Sequence, residues 1–202
     1  ASTRQLYGKP DYLPVDENHP IRPVDVNGIN KNAGEQFHLL YNSVYGIKSS
    51  VLRLTNTYGP GMRIKDARQT FVGLWIKKLI LNEDFEVWEG DQLRDFNYVD
   101  DVVYAFLMAA ISEKAEGQVF NLGSSEVISL KNLAELLKKI NQNGKYIEMS
   151  FPEHRKKIDI GNYYSDFDKI SKALNWNPKI GLEVGLKKTL EFFDVNGEFY
   201  LD

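Results

Sequence analysis

Ser49-Ser50-Val51-Leu52-Arg53-Leu54-Thr55-Asn56-Thr57-Tyr58-Gly59-Pro60-Gly61 is the stretch on which the fold turns. The mostly apolar run Val51 to Leu54, set between polar residues, reads as a short buried strand ending at Thr55-Asn56. Gly59-Pro60-Gly61 then breaks the chain and leads into a helix over about 67–81. Upstream, Ile29, Ala33, Phe37, Leu40 and Val44 recur every three or four residues, which predicts a helix over about 26–45 with Gly46 as its stop. Helix, strand and helix at ordinary lengths indicate α/β architecture with parallel pairing in the first half.

The same pattern continues outward. Phe85–Trp88 and Asp95–Tyr98 are short strand candidates, and Asp100 is placed to cap a helix over 102–111. A strand near 118–122, a helix over 129–141, a strand over 146–149 and helices near 166–174 and 182–193 follow. Residues 4–25 form a loop rich in turn formers (Gly8, Pro10, Pro14, Asn18, Pro20, Pro23), and 152–162 is a charged loop, not a linker. No internal repeat and no low-complexity tract interrupts this order.

Composition narrows the class. The chain has 202 residues, with 25 Lys+Arg against 28 Asp+Glu and a formal net charge of −3. That length suffices for one domain, or slightly more, with its own core. With 12% aromatic residues there is ample apolar surface to offset chain entropy, so disorder is not expected. A slightly acidic balance argues against a nucleic-acid partner, and no apolar run approaches the roughly 20 residues of a membrane span. There is no cysteine, which excludes disulfides, Cys-ligated zinc and thiol nucleophiles and fits a cytoplasmic protein. The opening Ala1-Ser2-Thr3, without initiator Met or signal-peptide pattern, reads as the start of a piece excised from something longer.

Several motifs fail on spacing. Gly46-Ile47-Lys48-Ser49 contains Gly-x-Lys-Ser, but a phosphate loop needs Gly and Lys adjacent and a further glycine where Tyr41 stands. No Gly-x-Gly-x-x-Gly follows a strand. His19, His38 and His154 are scattered, at no metal-ligand spacing, and no Gly-x-Ser-x-Gly elbow is present. Surface or structural roles are expected for the histidines, and no metal site.

Four segments are specific when taken together in this order: Ser2-Thr3-Arg4-Gln5-Leu6-Tyr7-Gly8; Asn27-Gly28-Ile29-Asn30-Lys31 with Gly34-Glu35; Arg53-Leu54-Thr55-Asn56-Thr57-Tyr58-Gly59-Pro60; and Gly90-Asp91-Gln92-Leu93-Arg94-Asp95-Phe96 with Tyr98-Val99-Asp100-Asp101. With the Trp176-x-Pro178 turn and the Gly185-Leu186 helix, they resemble the extended short-chain dehydrogenase/reductase family of nucleotide-sugar epimerases and dehydratases. The resemblance covers essentially the whole chain but begins in the middle of that family's fold. It implies the C-terminal half of a Rossmann-like parallel-sheet domain, mainly residues 1–60 interleaved with later segments. A small α/β substrate-binding lobe would take mainly 61–202. Most of the NAD site would then lie upstream of Ala1.

The resemblance also assigns roles. In the family, NAD takes hydride from a sugar carbon while a Tyr, four residues before a Lys on one helix, takes the hydroxyl proton. Thr3 matches the Ser/Thr that orients the reacting oxygen, and Lys31 matches the Lys that also holds the nicotinamide ribose. The Tyr position is Asn27, an amide that neither ionises nor acts as a general base near neutral pH. Either another base such as Lys31 serves, or the protein binds nucleotide sugars without turnover, or position 27 has been altered. Arg4 and Gln5 stand where dehydratases carry Asp-Glu, so dehydration is disfavoured.

For the substrate, the resemblance points to Arg94 at the diphosphate, Asn56 at the sugar phosphate, Trp88 beside the base and Arg155 (or Lys156) with Asp159 at the phosphate and ribose. Tyr7 and Thr55 would line the nicotinamide or sugar pocket, and Asp100-Asp101 would cap a helix. Without the resemblance, Arg94 and Asp95 read as a surface pair, Trp88 as a core residue, and Asn27 and Lys31 as helix-surface residues. The expected function is an NAD-dependent nucleotide-sugar epimerase of polysaccharide-precursor metabolism. The alternatives are a catalytically silent nucleotide-sugar-binding or assembly protein, or a reductase or decarboxylase on the same scaffold. A homodimer is expected through Phe37, Leu40, Tyr41 and Val44 of one helix and Phe71, Leu74 and Trp75 of the next.

Overall fold

A computed structural model describes residues 1–66, 70–142, 144–153 and 159–201. In chain order its main elements are β1 (Ser2–Thr3), a 3-10 turn (Arg4–Tyr7), α1 (Val26–Tyr45), β2 (Val51–Leu54), β3 (Asn56–Tyr58) and α2 (Phe71–Ile80). Next come β4 (Phe85–Trp88), β5 (Leu93–Tyr98), α3 (Val99–Ile111), β6 (Val119–Asn121), β7 (Val127–Ser129), α4 (Leu130–Asn141) and β8 (Tyr146–Met149). Three late helices, α5 (Asp168–Leu174), α6 (Leu182–Asn196) and α7 (Glu198–Leu201), complete it.

β1, β2 and β6 form a parallel sheet in that order, with Thr3 opposite Leu54 and Leu52 opposite Phe120. Its core is Leu52, Val102, Ala105, Phe120, Leu122, Ile170 and Trp176, so α3 and α5 return to this sheet late in the sequence. A second sheet, β3-β5-β7, and a parallel pair, β4-β8, belong to the other lobe. There Tyr58, Trp75, Phe85, Phe96, Leu133, Leu186 and Phe193 pack with α2, α4 and α6. The chain passes between the sheets at Thr55, a single residue separating β2 from β3. The Thr55 hydroxyl donates to the Asp95 carboxylate and the Asn56 amide to the Asp95 carbonyl (3.0 Å), which ties this crossing to β5.

The helices start and stop for local reasons. Asp25 caps α1 by accepting from Gly28 N at 2.7 Å, and Gly46 ends it with φ of 67°, a backbone region open to glycine. Ser129 caps α4 by accepting from Asn132 N at 3.2 Å. At α3 the expectation is corrected. Tyr98 holds the cap position without a side-chain bond, and Asp100 and Asp101 lie inside the first turn. Asp101 is buried because its carboxylate accepts from Ile180 N (2.9 Å) and its carbonyl from Trp176 Nε1 (2.9 Å), pinning the turn before α6.

α1 departs from the usual inside-outside pattern. Its apolar stripe faces outward, with Phe37 64%, Leu40 51% and Val44 60% exposed, and its buried residues are Gly28 and Glu35. Glu35 turns inward because Arg53 grips it bidentately and Ser2 donates to it. α2 does not share this outer surface: Trp75 is 4% exposed in the lobe core, and Phe71 and Leu74 line a cleft. Exposed apolar residues lie instead on α3, at Val103, Leu107 and Ile111. No helix among the described residues is long and apolar enough to cross a membrane.

Candidate functional site

A cleft of about 600 Å³ runs between the two lobes. The 3-10 turn and the start of α1 supply Arg4, Gln5 and Asp25 to its wall, and β3 supplies Asn56. α2 contributes Phe71, Leu74 and Lys78, the β4 strand Phe85, Glu86 and Trp88, and the far side Arg94, Phe151, Asp159 and Ile160.

Arg94 is 6% exposed, yet it is one of the residues lining the cleft. Nη1 donates to the carbonyls of Leu93 (2.8 Å) and Gly161, and Nη2 lies 3.7 Å from Asp159 Oδ1. Burial pushes its pKa down to about 10, helped by the neighbouring positive charge of Arg4 and opposed by Asp159 and Asp95. Asp159 also accepts from Gly161 N at 3.1 Å, so the two expected residues, Arg94 and Asp159, do meet. Arg155 and Lys156 lie outside the described residues.

Arg4 stands beside this pair. Its Nη2 donates to Asn56 Oδ1 at 3.1 Å, and its guanidinium carbon sits 4.9 Å from the Tyr163 ring centre. Its Nη1 is buried without a hydrogen-bond partner. Asn56 therefore reaches the cleft with its amide already committed to Arg4 and to the Asp95 carbonyl. Asp95 is fully buried; burial raises its pKa against the opposing hydrogen bonds from Thr55 and from Ser165 N (3.0 Å). Thr55 is spent on this carboxylate and does not border the cleft.

Thr3, Asn27 and Lys31 gather beyond Gln5. The Asn27 amide donates to Gln5 Oε1, and Gln5 N donates to Thr3 Oγ1 at 3.3 Å. Lys31 Nζ donates to the Ala1 carbonyl at 2.9 Å. None of the three borders the cleft itself; Gln5, which does, touches Asn27 through its side chain and Thr3 through its backbone N–H. Gly28 makes this approach possible, since a Cβ there would lie 2.7 Å from Gln5 O and 2.8 Å from Pro23 Cβ.

Tyr7 lies elsewhere than expected. It is fully buried, donating to Asn121 Oδ1 (2.7 Å) and accepting from Arg53 Nη1 (2.7 Å), with its pKa raised by burial to about 12. A phenol so engaged faces the interior, not a ligand. At the opposite end of the cleft, Trp88 is half-buried with its ring 5.7 Å from Phe151 in edge-to-face contact, and its indole N–H donates to Glu86 Oε2 at 3.0 Å. Phe151 and Arg4 are among the cleft residues that the sequence did not mark as site residues; the position of Arg4 directly after Thr3 was the available signal. Among the described residues no cluster of three or more His, Asp or Glu is arranged to hold a metal.

The model of the NAD dependent epimerase/dehydratase family matches residues 1–123. The chain belongs to this family. A putative UDP-glucose 4-epimerase of Methanocaldococcus jannaschii is 34% identical, aligned over 97% of this chain and 62% of that protein. UDP-glucuronic acid decarboxylase 1 of Xenopus tropicalis is 32% identical over 96% of this chain and 46% of that protein. Among solved epimerase structures, the UDP-glucose 4-epimerase of Thermotoga maritima with UDP-glucose superposes with a TM-score of 0.85 at 31% identity. That match covers 96% of this chain and 62% of that one. The chain thus spans about three-fifths, or less, of the length of these family members. The match agrees with the α/β class and Rossmann-like parallel sheet expected from the sequence.

Proposed function

We propose that the full-length protein containing this chain is an NAD-dependent epimerase-type enzyme acting on a nucleotide sugar. The observation that supports this is the layout of the cleft: an aromatic pair at one end, a desolvated arginine in the middle and Gln5 at the other, with the amide, hydroxyl and ammonium of Asn27, Thr3 and Lys31 beyond it. A nucleoside diphosphate sugar has that sequence of chemistries along its length. The diphosphate goes to Arg94, the base to the Trp88–Phe151 end, and the sugar to the neighbourhood of Gln5 and Thr3.

NAD supplies reversible hydride acceptance from a sugar carbon. The residues present suit the nicotinamide end of such a cofactor. Lys31 has an ammonium of three donors with one engaged by the Ala1 carbonyl among the described residues, leaving two for ribose hydroxyls. Thr3 orients the reacting sugar hydroxyl. Asn27 holds that oxygen by hydrogen bonding and transfers no proton, because an amide does not ionise in the working pH range. Tyr7 is no substitute, being buried with its hydroxyl committed to Arg53 and Asn121. Lys31 Nζ is the ionisable atom of the patch, and it takes the hydroxyl proton only as the neutral amine, whose two donors serve the Ala1 carbonyl and one ribose hydroxyl. Arg4 and Gln5, in the places that carry two carboxylates in dehydratases, offer no acid-base pair for eliminating water.

A second reading is favoured by Asn27 alone: a nucleotide-sugar-binding protein without turnover. Incubating the full-length protein with NAD and nucleotide sugars in deuterated water separates the two. Inversion at C4 or deuterium incorporation supports the enzyme. Tight binding with neither, together with turnover gained in Asn27→Tyr, supports the silent binder.

A further inference from the structure

Three residues of α1 at a spacing of four, Asn27, Lys31 and Glu35, lie along the opening segment of the chain. Asn27 donates to the Gln5 side chain, Lys31 Nζ donates to the Ala1 carbonyl at 2.9 Å, and Glu35 accepts from the Ser2 hydroxyl. Of the three, Glu35 is the buried one. Arg53 holds its carboxylate through Nε at 3.0 Å and Nη2 at 2.7 Å. Arg53 stands opposite Ser2 in the parallel register of β1 and β2, so one carboxylate spans both strands. The guanidinium is fixed in turn. Its Nη1 donates to the Tyr7 hydroxyl at 2.7 Å, which donates to Asn121 on β6 at 2.7 Å. Through Glu35, α1 is therefore tied to all three strands of the β1-β2-β6 sheet.

A buried bidentate pair admits one placement of the helix. Turning or sliding α1 would leave two charges unpaired away from water, a cost of several kcal/mol. Contacts made in water, such as that of Asn27, are exchanged at little cost and impose no such limit. We propose that Glu35, paired with Arg53, is a positioning residue that fixes where Lys31, one helical turn away, stands relative to Thr3, the residue after Ser2. This rests on the reading above, in which Lys31 holds the nicotinamide ribose. Glu35 does not border the cleft, and it acts through Lys31.

A double-mutant cycle of Glu35 and Lys31 tests this, read by calorimetric titration of the full-length protein with NAD and, separately, with UDP. Glu35→Gln keeps the shape of the side chain and removes its charge. It should weaken NAD binding by about tenfold and leave UDP affinity within about twofold, because Arg94 belongs to another element. In a Lys31→Ala background, itself weakened for NAD, the same change should cost less than about twofold more. An ion pair with a merely structural role would give the same loss in both backgrounds. Thermal melts of each variant establish that it is folded. Ser2→Ala leaves the Arg53 pair whole and keeps the test open if Glu35→Gln does not fold, with an expected loss of about threefold for NAD, again only where Lys31 is present. Unchanged NAD affinity in these variants overturns the proposal, as does a loss that adds fully to that of Lys31→Ala or falls equally on UDP. A wild-type protein that binds no NAD, or a Lys31→Ala variant with wild-type NAD affinity, removes the reading of Lys31 itself and the role of Glu35 with it.

Discussion

Arg94 and Tyr7 were both readable as motif residues, and burial gives them opposite fates. Arg94 lines the cleft, held by the Leu93 and Gly161 carbonyls and facing Asp159, while its pKa is pushed down to about 10. Removing it as Arg94→Ala should weaken UDP binding by about 2–3 kcal/mol, roughly 30- to 150-fold, as measured by titration calorimetry. Tyr7 is instead sealed against Arg53 and Asn121, with its pKa raised to about 12. Its folded value lies above the unfolded one, so the folded state keeps a proton that the unfolded chain releases. That contribution is fully present below the ordinary tyrosine range and is lost as pH climbs from there to about 12. Urea midpoints should fall over that interval, and Tyr7→Phe should flatten the decline while costing about 1–2 kcal/mol at neutral pH. The family resemblance suggested a pocket for Tyr7 and, for Arg4, only the absence of a dehydratase carboxylate. The 3-10 turn rotates the first inward and the second toward the cleft, a choice that no local pattern carries.

At the scale of the element, α1 shows what periodicity conveys. Its span over Val26–Tyr45 and its Gly46 stop agree with expectation, and the Asp25 cap is an addition of the structure. Its inner face does not, because the buried ion pair of Glu35 with Arg53 decides the rotation of the helix about its axis. Two glycines on this helix should respond oppositely to the same substitution. Gly28→Ala places a methyl 2.7 Å from Gln5 O and should lower stability by about 1–3 kcal/mol in thermal or urea unfolding. Gly34→Ala meets nothing within 4 Å and should raise it by about 0.5–1 kcal/mol, by restricting the unfolded chain. If Gly28→Ala is neutral, the close packing of α1 on the 3-10 turn is wrong, and with it the Asn27–Gln5 contact.

Across the whole molecule, the outward apolar faces of α1 and α3 are large for a surface left in water, with Phe37, Val44, Leu107 and Ile111 each more than half exposed. A second copy of the protein is the expected cover. The full-length protein should sediment as a dimer at micromolar concentration, and Phe37→Asp with Leu107→Asp should give monomers whose melting no longer depends on concentration. Monomeric wild-type protein at that concentration would leave these faces to another occupant.

From sequence alone came the α/β order, the ends of most helices, the family and the central arginine. These depend on residues close together in the chain: caps, turns, periodicity, and motifs whose spacing is local. Only the tertiary structure decided that β2 and β3 part at Thr55 into different sheets, that α1 presents its polar side to the core, and that Arg4 shares a cleft wall with Arg94. Each of those depends on a partner far away in sequence, Asp95, Arg53 or Asn56, whose charge or hydrogen bond outweighs the local preference.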